Sequence, residues 1–244
     1  MTILLIPVAS LKKSKSRLET CFTREQIIDF TIAMLEDMLI TLSEVNCFKE
    51  VMVYSESKEI LDLAREYGRL GIKEVTDPSF HIFDDTINMM NDIAIEKFNA
   101  DATVIAFLDL ILISRNNFYD IYKLVKKNRL VVCPAIKSAG ISILARNPPT
   151  LVAPSFSDPH TPSLITLFNN ARTKGVEDIA IYDSFRASFD VDTKEDLIMA
   201  YEYLKILNLT DKKSYKFLKN NLKFSLQKID RSDNRKFRVV QRKD

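Results

Sequence analysis

Glycine is scarce in this chain, with four residues in 244. Loops that cradle phosphate usually need glycine for close backbone approach, so a nucleotide loop of the glycine-rich kind is excluded. Cysteine is equally sparse. Cys21, Cys47 and Cys133 are widely spaced, with no CxxC pair and no Cys/His ligand spacing. That excludes a disulfide framework and a zinc site and reads as cytoplasmic. His81 and His160 are the only histidines, and neither lies at catalytic spacing from Cys, Ser or the other. Ser-His-Asp chemistry is therefore not expected, and both read as exposed loop residues. Residues 1–9 are apolar but short and lack a basic leader, and no later run approaches ~20 uninterrupted apolar residues. The expectation is a soluble protein with no membrane partner.

What is present is a body rich enough in apolar residues, at 46% hydrophobic, to bury a sizeable core. Short β signals recur in "TILLIPV", "FKEVMVYS", "ATVIAFLDLIL", "RLVVCPAI" and "DIAIYDSF", each bounded like a buried strand. Helical spacing occupies residues 23–42, 84–98 and 117–127, and more weakly 57–67. Strands alternating with helices predict a single α/β domain, a mostly parallel sheet with helices on both faces. Residues 1–210 are assigned to that domain and 211–244 to a basic C-terminal extension, partly helical or disordered. Residues 212–244 carry twelve Lys/Arg against three Asp/Glu, or +9, which leaves −7 on the rest of a chain whose net charge is +2.

Ligands in such folds lie beyond the carboxyl ends of the strands. The loop after the first strand, "ASLKKSKSRLE", holds Lys12, Lys13, Lys15 and Arg17 with no glycine among them. Lysine as a mobile charge and arginine as a bidentate fork suit a polyphosphate; a solvated helix entrance is the plainer alternative. Asp109 interrupts an apolar strand in "VIAFLDLILIS", where a carboxylate must be paired, hydrated or metal-bound. Asp190 and Asp192 lie two apart at another strand end, where a period of two can point both the same way. Asp192 or Thr193 can cap the helix that follows, with Glu195 and Asp196 in its first turn. Oxygen ligands from Asp109 and Asp190 would suit Mg²⁺. "FSDPHTPS" at 156–163 is a turn that either covers a pocket or simply connects two elements.

Taken in order, "IPVASLKKSKSRL", "FLDLILIS", "GISILARNPP", "FSDPHTPSL" and "IYDSFRASFDVDTKEDL" resemble the motifs of the 2-phospho-L-lactate guanylyltransferase family over residues 3 to about 204. The resemblance implies a nucleotidyltransferase with a glycosyltransferase-A-like fold, active in coenzyme F-420 biosynthesis in archaea and some bacteria. It implies GTP and a small phosphoacid as substrates and Mg²⁺ as cofactor. It also implies triphosphate contacts from Lys15 and Arg17, and metal ligation by Asp109 and Asp190, with Asp192 beside them. Pro7, Val8, Lys12, Gly140, Ser142 and Ser163 fall on its substrate-binding segments. Ala9, Ile111 and Ile141 stand where the family's motifs carry lysine, proline and threonine, and Ser157 and Asp158 occupy its glycine region. The same residues also allow a nucleotide-binding relative without catalysis, or one with a changed acceptor. A homodimer is allowed as well. The tail, with Tyr215, Phe217, Phe224 and Phe237, either forms a nucleic-acid arm or packs its helix onto the body, the second being favoured.

Overall fold

The structure is a computed structural model that describes residues 1–11, 15–73, 83–230 and 236–242. The chain divides into two compact units, residues 1–10 with 38–190, and residues 11–37 with 191–244. Among the described residues no helix is long and apolar enough to cross a membrane.

The first unit is built on a seven-stranded sheet. Its strands are β1 (Thr2–Pro7), β2 (Glu50–Ser55), β3 (Leu70–Lys73), β4 (Ala102–Ala106), β5 (Leu130–Pro134), β6 (Ile141–Arg146) and β7 (Ile179–Ile181), in the order β3-β2-β1-β4-β6-β5-β7. All pairings are parallel except those of β6, which runs against β4 and β5. The mostly parallel sheet expected from the alternating pattern is present. Every residue of β1, β4 and β6 is buried, which requires cover on both faces and explains why these strands read as continuous apolar runs. On one face, Ile3, Leu5, Ile105 and Leu144 share a core with Ile87, Met90 and Ala94 of α3 (Phe83–Phe98) and Leu167 and Ala171 of α5 (Ser163–Thr173). Full burial of each such side chain contributes about 1.5–3 kcal/mol. The helices α2 (Lys58–Glu66) and α4 (Arg115–Val125) pack on β2 and β3 and on β5 and β6 respectively.

One strand is shorter than its sequence suggests. β4 ends at Ala106, and residues 107–113 form successive turns in which Ile111 N–H donates to the Asp109 carbonyl (2.9 Å) and Ile113 N–H to the Leu110 carbonyl (3.0 Å). Leu110, Ile111, Leu112 and Ile113 are all buried. An apolar run in a turn and one in a strand look alike when both are buried, so Asp109 lies just past the strand rather than within it.

The second unit gathers part of α1 (Arg24–Ser43), a 3-10 turn (Ser16–Thr20), α7 (Lys194–Ile206), α8 (Lys213–Asn221) and the hairpin of β8 (Phe224–Lys228) and β9 (Phe237–Gln241). The region expected to be partly helical is a helix followed by a hairpin. Phe217 of α8 packs against Phe22 and Phe30, at ring-centroid distances of 5.3 and 5.2 Å. Tyr215 stacks on Tyr201 at 5.4 Å, and Phe224 lies under the Lys194 ammonium at 3.6 Å. These aromatics serve packing, as favoured from the sequence. The buried Asp37 carboxylate caps α8, accepting from the backbone N–H of Lys213 (2.8 Å) and Ser214 (3.0 Å) and from the Ser214 hydroxyl.

Candidate active site

Strands β1, β2, β4, β5 and β7 all run one way, so their carboxyl ends share one edge of the sheet, and β6 begins there. Ala106 pairs with Ile143 across the β4–β6 ladder. Three residues past Ala106 is Asp109, and three before Ile143 is Gly140. The antiparallel register thus carries the Asp109 turn and the Gly140 loop out of neighbouring strands at the same edge. Leu164 N–H donates to the Ala139 carbonyl (3.1 Å), which brings the start of α5, where Ser163 is the first residue, onto the loop that holds Gly140. Ala135 N–H donates to the Gly140 carbonyl (3.1 Å), closing that loop on itself.

The segment leading to Asp190 is pinned to β5 and β6. Tyr182 N–H donates to the Val132 carbonyl and Ile136 N–H to the Ser188 carbonyl, both at 2.8 Å. The buried Ser142 hydroxyl donates to the Ser188 carbonyl at 3.4 Å, and Cys133 Sγ lies 3.3 Å from Ser188 Oγ. Ser142 therefore anchors the short helix α6 (Phe185–Ser188), two residues before Asp190. From α4, the Asn117 amide donates to the Tyr182 and Ser184 hydroxyls, each at 2.9 Å. Burial pushes the Cys133 thiol up to about 11, so it stays protonated and is no nucleophile.

A clamp that sequence reasoning missed holds the 156–163 loop. Asp84, in the first turn of α3, accepts from Phe156 N–H through Oδ1 (2.7 Å) and from Ser157 N–H through Oδ2 (2.8 Å). Phe83, Phe107 and Phe156 meet beside it, with ring centroids 5.5–5.9 Å apart. Farther along, Asp158 Oδ1 accepts from His160 N–H (2.8 Å) and Thr161 N–H (3.0 Å), and these two donors hold its carboxyl below the usual carboxylate range. His160 is exposed, as expected. Ile111 and Ile141, where the family motifs differ, are both buried, and Ile141 belongs to the core that includes Leu144 and Leu167.

In the second unit, Lys15 takes a left-handed backbone conformation (φ 54°) ahead of the 3-10 turn. Its ammonium donates to the Val191 carbonyl and to Asp192 Oδ1, both at 2.7 Å. Asp192 is thus ion-paired with Lys15. Thr193, rather than Asp192, caps α7: its Oγ1 accepts from Asp196 N–H (3.3 Å), while Asp196 Oδ2 accepts from Thr193 N–H (2.8 Å). Arg17 is exposed on the 3-10 turn. Pro7 ends β1, and Val8 N–H extends the pairing by donating to the Tyr54 carbonyl (2.9 Å). Lys12, Lys13 and His81 lie outside the described residues.

Among the described residues, no three His, Cys, Asp or Glu side chains cluster as a ready-made metal cage. Mg²⁺ needs no such cage, since it usually takes one or two carboxylates and completes its shell with phosphate oxygens and water. Asp109 and Asp190, each partly exposed after a strand end, are donors of that kind, so the residues fit this ion.

A parallel-dominated sheet with one reversed strand and charged turns at its carboxyl edge is the architecture of nucleotidyltransferases. A nucleotide-diphospho-sugar transferase structure from Desulfovibrio desulfuricans G20 superposes with a TM-score of 0.73 at 13% identity, covering 90% of this chain and 94% of that one. A 4-diphosphocytidyl-2C-methyl-D-erythritol synthase from Anaerococcus prevotii DSM 20548 superposes at 0.59 and 13% identity, covering 84% and 96%. At these identities the likeness concerns the fold.

The family described as "Guanylyl transferase CofC like" matches residues 1–242, and the chain belongs to it. Similar proteins include 2-phospho-L-lactate guanylyltransferases from Methanocaldococcus sp. (strain FS406-22), 27% identical over 79% of this chain and 78% of that protein, and from Methanothermobacter thermautotrophicus, 26% identical over 87% and 94%.

Proposed function

We propose that this nucleotidyltransferase moves GMP from GTP to 2-phospho-L-lactate, or to a related phosphoacid such as phosphoenolpyruvate, and releases pyrophosphate, in coenzyme F-420 biosynthesis. The observation that carries the reading is the convergence of the Asp109 turn, the Gly140 loop and the start of α5 at one edge of the sheet. The family match over nearly the whole chain supports it.

A phosphate oxygen of the acceptor attacks the α-phosphorus of GTP in line. The new P–O bond forms as the bond to the bridging oxygen of the β-phosphate breaks, and pyrophosphate leaves with the electron pair. The acceptor is already an anion, so no side chain has to remove a proton. Lys15 and Arg17 take up the negative charge growing on the departing pyrophosphate. Asp192 and the Val191 carbonyl hold the Lys15 ammonium in place before substrate arrives, which lowers the reorganisation needed. Gly140 and Ser163 orient the acceptor. Asp109 and Asp190 would hold Mg²⁺, which when bound draws charge from the α-phosphate.

The test is pyrophosphate release with Mg²⁺, each of the four nucleoside triphosphates, and 2-phospho-L-lactate or phosphoenolpyruvate. Release should require GTP and a phosphoacid, and Asp109→Asn should reduce it by roughly 10²–10³-fold, the order for losing one group that stabilises transition-state charge. Release with another triphosphate, or none with any pair from a folded protein that binds nucleotide, would overturn the assignment.

A further inference from the structure

We propose that the tip of the β8–β9 hairpin docks in a cleft at the β7 edge of a second copy of this chain. The inference is independent of the reaction above.

The cleft, of about 360 Å³, lies in the first unit, at the carboxyl ends of β5 and β7. Pro134, Ile136, Ile181 and Phe185 supply its apolar wall, Ser188 lies within it, and Asp183 is the charged residue that lines it. Ile136, Ile181 and Phe185 are 48%, 52% and 41% exposed, a concentration of large apolar side chains in one place rather than the scattered kind that needs no explanation. β7 also ends the sheet: it pairs with β5 on one side only. A free strand edge of this kind is a template for another strand.

The hairpin has the complementary character. Its base is anchored within the second unit, by Phe224 beneath Lys194 and by Arg242 over the Tyr201 ring at 5.0 Å. Its far end is not. Past the last ladder pair, Lys228 with Phe237, Ile229 N–H still donates to the Lys236 carbonyl (3.0 Å), so the two strands remain together there. Yet Ile229 is 64% exposed and Phe237 43%. An isolated two-stranded ribbon is marginal in water unless its apolar face is covered. Lys228, Lys236 and Arg238 flank these side chains, at the end of a +9 tail on a chain whose remainder is −7.

Charge complementarity selects the occupant. A cationic, apolar tip matches an acidic body carrying an apolar cleft, and the same sequence encodes both. Two chains that each offer a tip and a cleft form a closed pair with two equivalent contacts. The cleft includes Ser188, whose carbonyl accepts from Ser142 and Ile136 and which stands two residues before Asp190. Docking would therefore stiffen the segment that carries Asp190.

The test uses the full chain in analytical ultracentrifugation over roughly 1 to 100 µM, with Phe237→Asp or Ile229→Asp in the tip and Ile181→Asp in the cleft. All three sites are exposed, and matching circular dichroism melts establish that the variants fold. The wild type should dimerise, more weakly as salt rises from about 50 to about 500 mM. Each variant alone should lose about tenfold or more in association, the order for an interface anchor. An equimolar mixture of tip and cleft variants should recover part of it, because one of the two contacts is intact in the mixed pair. A wild type that stays monomeric, a dimer indifferent to either class of variant, or a hairpin that instead retains RNA with the chain monomeric would each overturn the proposal.

Discussion

The turn that follows β1 and the loops that receive the acceptor are built by opposite means. The first presents ammonium and guanidinium groups, and its Lys15 is positioned by a counter-charge, Asp192. The second has few charges facing outward. The 135–140 and 156–163 loops are tied down through backbone groups, by the Asp84 clamp and the Leu164 to Ala139 bond, and Ile141 between them is committed to the core. The nucleotide side keeps the residue types its chemistry needs, whereas the acceptor side has exchanged a hydroxyl for packing. Variation is tolerated where a loop holds its shape through the backbone, because side chains there can change without releasing it.

Lys15→Ala is the harshest test of that contrast. It removes the positioned ammonium and leaves Asp192 without this partner. The expected result is a fall in kcat/KM for GTP of roughly 10²–10³-fold, with the acceptor KM almost unchanged. Asp192→Asn, which keeps the ammonium but weakens its placement, should lie between this variant and the wild type. Equal losses for both substrates would show that the two sides are not separable.

Asp84→Ala should do the converse. It deletes two hydrogen bonds to a carboxylate, each worth about 1.5–3 kcal/mol, and frees the start of the 156–163 loop. The acceptor KM should rise about 10–100-fold while the KM for GTP holds. Steady-state kinetics in each substrate distinguishes this from a global loss of stability.

Ile141→Thr sharpens the comparison by reversing the exchange. A hydroxyl returned to that position can donate to the acceptor phosphate, and one charge-assisted bond raises kcat/KM about tenfold. The same change removes apolar volume from the core and adds a polar group, at a cost of about 1–3 kcal/mol read as a lower melting temperature. Lower stability with no kinetic gain would mean that the acceptor is held elsewhere.

Much of the fold was legible because the central strands are buried on both faces, and their apolar runs alternate with helical periodicity. The end of β4 was not, since residues 110–113 are as buried in turns as they would be in a strand. The half-buried β3, the β6 that opens at Ile141 and the C-terminal hairpin were missed for the opposite reason, being short or irregular in pattern. At the site, residue types identified Lys15, Arg17, Asp109 and Asp190 as candidates, and the loop chemistry drew attention to 156–163. The Lys15 to Asp192 pair joins residues far apart in sequence, so no local spacing could reveal it. Asp84 read only as the start of a helix. Acidic residues in a first turn are common for the helix dipole alone, and nothing nearby signalled that this one reaches a distant loop.

The smallest expected effect concerns Asp158, within the same loop. Its carboxyl is held below the usual range first by His160 N–H and then by Thr161 N–H. A carboxyl lowered in the folded state contributes stability that is fully present above its unfolded value of about 3.9 and is lost as pH falls through the folded one. The turn should therefore be indifferent to pH from neutrality down to about 4 and loosen only below that. Amide resonances of His160 and Thr161, followed by NMR, should titrate with a midpoint under the ordinary carboxylate value, and Asp158→Asn should abolish that titration with little change in acceptor KM at neutral pH. A midpoint at or above the ordinary value would mean that these two amides do not favour the charged carboxylate, and that the order of the loop rests on Asp84 alone.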